Sequence, residues 1–206
     1  NGHNRYGRSW SSPRSWECSV EREGLRLVLS APGIGTHTTT PQRRPTPNAM
    51  RLLASLEAMA EVGLQPDGSI CRRGFTAEDR QGRERLSEWM IDAGLSLRID
   101  AAGNLIGRLE GLDPSLPALV TGSHLDTVPT GGRYDGTLGV LAGLEVVRAL
   151  QDAALQLRHP FELIVFADEE STMVGCKGMA GTASADPSDY TTSNGEPIER
   201  NLARLG

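Results

Sequence analysis

Two short apolar runs, residues 118–122 (ALVTG) and 161–167 (FELIVFA), flank an apolar stretch with helical spacing from about Thr137 to Gln151. Strand, helix and strand in that order read as a crossover unit, which predicts an α/β fold with a parallel strand pair. In open sheets of this kind ligands collect at the carboxyl ends of the strands. The polar residues after each run, His124-Leu125-Asp126 and Asp168-Glu169-Glu170, are therefore expected at one sheet edge although about 40 residues separate them.

Upstream, Leu52, Leu56, Met59 and Ala60 recur at helical spacing, with Gly63 and the turn Pro66-Asp67-Gly68 after them. Thr76 followed by Glu78 and Asp79 offers an N-cap and an acidic first turn. Leu86, Trp89, Met90 and Ala93 then form one helical face that Gly94 ends. Residues 95–100 alternate, Gly103-Asn104 turns, and residues 105–109 return, which predicts a hairpin.

Residues 1–46 differ in character. They are rich in Ser, Thr, Pro, Gly and Arg without sustained periodicity, and are expected to be a disordered or non-native N-terminal extension; the chain opens on Asn1, and a clipped or misread upstream segment is the expectation. Seven arginines and three glutamates give this stretch +4, so the formal −5 of the 206 residues leaves −9 on residues 47–206. That sign disfavours nucleic acid as a partner, and no apolar run approaches the ~18 residues of a helical membrane span. Cys18, Cys71 and Cys176 are widely spaced and odd in number, which argues against a disulfide framework and for a reducing, cytoplasmic compartment. Only Lys177 among 21 basic residues is lysine, a bias attributed to coding DNA rather than to folding.

The chemistry concentrates at the expected edge. His124, Asp135 and the pair Glu169-Glu170 all fall where strands or loops end, and so many carboxylates repel one another unless a cation neutralises them. Imidazole with carboxylate suits zinc, or manganese, nickel or cobalt, and a carboxylate shared between two ions suits a two-metal hydrolytic centre, with Asp135 the candidate bridge. Of two adjacent glutamates, one can bind metal while the other moves protons to a leaving nitrogen. Each fragment also has an ordinary reading, as a hydrogen-bonded turn, a helix cap or a solvated helix start. Neither G-x-G-x-x-G, G-K-[ST] nor G-x-S-x-G occurs; Cys71 and Cys176 have no obvious histidine partner, and His159 beside Pro160 reads as an edge residue.

Gly122-Ser123-His124-Leu125-Asp126-Thr127-Val128-Pro129, Gly131-Gly132-Arg133-Tyr134-Asp135-Gly136, Leu138-Gly139-Val140-Leu141-Ala142-Gly143-Leu144-Glu145-Val146 and Phe166-Ala167-Asp168-Glu169-Glu170 together closely resemble one branch of the zinc aminopeptidase-like amidohydrolases. That branch holds N-carbamoyl-L-amino-acid hydrolase, allantoate amidohydrolase and β-ureidopropionase. The resemblance runs from about Met50 to the C-terminus. It implies a mixed sheet flanked by helices, two divalent metal ions per subunit and a small ureido or carbamoyl amino acid substrate, with neither nucleic acid nor membrane as partner.

By the same resemblance His124 binds the first metal, Asp135 bridges both, Glu170 binds the second, Glu169 is the general base and acid, and Asp126 orients His124. A cis peptide bond after Asp135 is also implied. The family has two further histidines downstream, one in an H-x-E-Q segment, and an inserted lid domain that mediates homodimerisation; neither is found here, so residues 47–206 are expected to be an incomplete catalytic domain. Ser171-Thr172-Met173 departs from the G-[SV]-R-F that follows D-E-E in many relatives. Alternatives are an aminoacylase- or peptidase-like metallohydrolase and a non-catalytic remnant.

Overall fold

The computed structural model describes residues 44–205 throughout and, before them, only two short strands, β1 (Glu17–Val20) and β2 (Leu27–Ser30), which pair antiparallel. The expectation for the N-terminal extension otherwise lies outside the described residues. From Arg43 onward the chain forms a separate unit.

This unit is a mixed four-stranded sheet with helices. The helix expected first is α1 (Ala49–Ala60), capped by the Asn48 side chain, which accepts from Arg51 N–H. The second is α2 (Ala77–Asp92), where Thr76 caps as its sequence predicts. The hairpin is β3 (Ser96–Ile99) and β4 (Leu105–Leu109). Its turn closes on Asp100, whose carboxylate accepts from the N–H groups of Ala102 and Asn104.

The crossover unit consists of β5 (Leu119–His124), α3 (Thr137–Asp152) and β6 (Phe161–Phe166). β5 and β6 pair in parallel and β6 pairs antiparallel with β4, giving the strand order β3-β4-β6-β5. β5 runs two residues beyond the apolar run in the sequence, so His124 closes the strand instead of opening the loop. Beyond β6 the chain forms α4 (Val174–Ala180), a 3-10 turn (Pro187–Asp189) and α5 (Ile198–Leu205).

One core unites the layers. Leu56 and Met59 of α1, Leu86 and Met90 of α2, and Val140, Leu141, Leu144 and Val147 of α3 are buried with Leu105, Leu163 and Val165 of the sheet. The period-3.6 and period-2 residues read from sequence are the ones that meet here. A smaller cluster of Ala167, Val174 and Ile198 lies under Phe75, Tyr190 and Leu202. Among the described residues no helix is long and apolar enough to cross a membrane.

Candidate metal centre

His124 and Phe166 are register partners at the ends of β5 and β6. Asp126 and the Asp168-Glu169-Glu170 run therefore leave the sheet at the same edge, as the crossover rule requires.

The imidazole of His124 is held by its Nδ1, 2.9 Å from the main-chain oxygen of Asp126. A ring that donates from Nδ1 keeps its lone pair on Nε2. Nε2 lies 3.5 Å from Glu169 Oε2 and 3.9 Å from Asp135 Oδ1. One donor atom each from His124, Glu169 and Glu170 lie within 4.8 Å of one another. Asp135 stands outside that tighter group with its side chain 73% exposed, and reaches the centre through His124.

Asp126 lies beneath this group. Its Oδ2 accepts from Glu170 N–H at 2.9 Å, while Oδ1 is buried without a hydrogen-bond partner, 3.8 Å from His124 Nδ1. Burial pushes its carboxyl up to about 6, against the pull of the Glu170 N–H. The expected orienting contact to His124 is thus made by the main-chain carbonyl of Asp126, with the carboxylate standing further off.

The backbone that carries the two glutamates is shaped by Asp168. This residue takes a left-handed φ of 50°. Its Oδ2 accepts from Thr172 N–H and, at 2.6 Å, from the Thr172 hydroxyl; its main-chain oxygen accepts from Met173 N–H. Residues 168–173 thereby close into a turn. Asn104 ties that turn to the hairpin, accepting from Ala167 N–H and donating to the Gly175 oxygen. Burial raises the Asp168 carboxyl and also the Cys176 thiol, which Glu169 and Asp126 push further.

One expectation is corrected. No cis peptide bond occurs among the described residues; the turn after Asp135 is made by Gly136 at φ 63°, a conformation open to glycine without the cost of a cis bond.

The donor set fits a divalent cation. Among the described residues no lysine or arginine pairs with Asp135, Glu169 or Glu170; their neighbour is the His124 imidazole, and the orphaned Asp126 oxygen lies beside it. Nitrogen and carboxylate donors gathered without a protein cation suit zinc or manganese. The bonding of Asp168 to Thr172 and the burial of Arg72, described below, have no signature in the motifs. The first was hidden in a D-E-E run that reads as a helix start, and the second has no local signal at all.

The profile of peptidase family M20/M25/M40 matches residues 120–203, which span both motif-bearing strands. Those residues carry an M20-type peptidase domain. An N-carbamoyl-L-amino acid amidohydrolase of Geobacillus stearothermophilus is 40% identical over 161 residues, 76% of this chain and 39% of the relative. A ureidoglycolate hydrolase of Arabidopsis thaliana is 36% identical over 128 residues, 62% of this chain and 27% of the relative. A hydantoinase/carbamoylase family amidase from Burkholderia ambifaria superposes with a TM-score of 0.71 at 38% identity, over 78% of this chain and 41% of that one. The chain thus spans 39%, 27% and 41% of the length of these relatives, with the α/β fold that the motifs imply.

Proposed function

We propose that this chain is the N-terminal part of a metal-dependent amidohydrolase that cleaves the carbamoyl or ureido C–N bond of an N-carbamoyl-L-amino acid. The observation that carries the reading is the approach of His124 Nε2 to Glu169 and Asp135, with Glu170 beside them and, among the described residues, no lysine or arginine paired with the group. In this reading His124, Asp135 and Glu170 would hold the divalent ions. Such ions, when bound, make water acidic near neutral pH and polarise the substrate carbonyl.

Glu169 carries the proton. Its carboxylate takes one proton from the attacking water as the C–O bond forms at the carbamoyl carbon. It then returns that proton to the amino nitrogen as the C–N bond breaks, releasing the amino acid and carbamic acid. Asp126 fixes the His124 ring through its carbonyl and fixes the Glu170 backbone through Oδ2. It thereby holds both ends of the site in one register.

The 36% identity to a ureidoglycolate hydrolase supports a second substrate class, a small ureido acid cleaved by the same steps. Glu169→Gln in the complete protein tests the shared chemistry. Turnover is expected to fall ~10²- to 10⁴-fold with metal content unchanged by elemental analysis, and undiminished turnover would overturn the assignment. Rates on N-carbamoyl-L-amino acids, ureidoglycolate and N-acetyl amino acids then separate the substrate classes.

A further inference from the structure

Arg72 is 2% exposed, yet among the described residues no carboxylate accepts from its guanidinium. A charged group taken out of water is costly and is ordinarily matched by an acid. Here neutral oxygens match it instead, and their positions are informative. Nη1 donates to the main-chain oxygens of Met59 and Val62 at the end of α1, at 3.2 and 2.8 Å. That alone would be a helix C-cap.

The other donors go to the segments that carry the metal-centre residues. Nε donates at 2.8 Å to the oxygen of Leu125, the residue between His124 and Asp126. Nη2 donates at 3.0 Å to the hydroxyl of Thr137, the first residue of α3 and two past Asp135. The main chain of Arg72 adds a reciprocal pair, its N–H donating to the Thr127 hydroxyl and its oxygen accepting from Thr127 N–H, both at 2.9 Å. Residues 125–127 are gripped from both sides.

We propose that Arg72 is the positioning residue that sets the separation of His124 from Asp135, and so the affinity of the centre for a divalent cation. A guanidinium is planar and its N–H groups form a rigid fork, so fixing Leu125 through one arm and Thr137 through another fixes the two loops relative to each other. An ammonium offers donors without that fixed angle. Packing leaves no slack, since a Cβ on Gly82 would lie 2.9 Å from the Arg72 Cδ. This inference rests on the metal reading of His124, Asp135 and the glutamates.

Cobalt(II) titration of the complete protein, followed by visible absorption, tests it with Arg72→Lys and Thr137→Val, each compared with wild type by circular dichroism and melting. Both variants are expected to bind cobalt ~10-fold or more weakly than wild type, with altered absorption intensity, while keeping the wild-type dichroism. Wild-type cobalt affinity in a folded Arg72→Lys chain would overturn the inference. Should that variant not fold, Thr137→Val, which removes one donor–acceptor pair and leaves the cation in place, decides by the same criterion. Absence of cobalt binding by wild type itself would instead defeat the metal reading, and this inference with it.

Discussion

Gly136 lies flat against the imidazole of His124: a Cβ built on it would stand 2.5 Å from both Cε1 and Nδ1 of the ring. The same residue sits at φ 63°, where a side chain is strained. Asp135 is therefore joined to α3 by a position where backbone conformation and ring contact both demand glycine. Gly136→Ala is expected to destabilise the chain by about 1–3 kcal/mol in urea unfolding and to displace the His124 ring. Unchanged stability together with unchanged metal binding would count against the contact.

Metal should also be visible in stability. A cation that binds the folded chain alone raises its melting temperature, by the equivalent of about 2.7 kcal/mol when its concentration is ~100-fold above Kd. Added zinc or cobalt is expected to raise the melting temperature, and a chelator to reverse the effect. His124→Ala is expected to melt at one temperature with or without metal. An equal shift in that variant would place the binding elsewhere.

The metal-centre candidates were legible because they are local. G-S-H-x-D and D-E-E each sit at the end of an apolar run, and one topological rule brings the two ends together, as the His124–Phe166 register bears out. Helices α1 to α3 were legible for the same reason, through periodicity and, for α2, the Thr76 cap. What was illegible depends on contacts remote in sequence. Arg72 stands beside Arg73 in Cys71-Arg72-Arg73, and nothing local tells that Arg72 is buried against residues 53 and 65 positions away. The Asp168 side chain likewise packs against a residue remote in sequence. Its Oδ1 stands where a side chain on Gly74 would be, 1.9 Å from a Cβ built there.

The buried Glu145 of α3 gives a pH-dependent prediction. Its carboxylate accepts from Arg51 Nε and Nη2 at 2.8 and 2.7 Å and from Asn48 N–H at 2.7 Å, anchoring the start of α1. The Arg51 bonds lead in holding its carboxyl below the ordinary 4.5. A depressed acid contributes stability above its unfolded value and loses it as pH falls through the folded one. Wild type is thus expected to lose stability below about pH 4.5 more steeply than Glu145→Gln. At pH 7 Arg51→Met should cost on the order of 2 kcal/mol, less than the ~3–5 of a fully buried pair because the Arg51 side chain keeps 30% exposure. Parallel stability–pH curves for wild type and Glu145→Gln would refute the linkage.

β5 is the outermost strand on its side of the sheet, and its Leu119 and Val120 are 49% and 58% exposed. An outer strand presents unpaired N–H and C=O groups to any other strand, and exposed apolar side chains add a driving force for pairing. Charge on such an edge opposes association because a second strand would have to desolvate it. The chain by itself is therefore expected to associate as concentration rises, and Val120→Lys to reduce that association in light scattering. The substituted position is already solvent-facing, so the melting temperature should change little. Equal association in the variant would show that contacts other than this edge drive it.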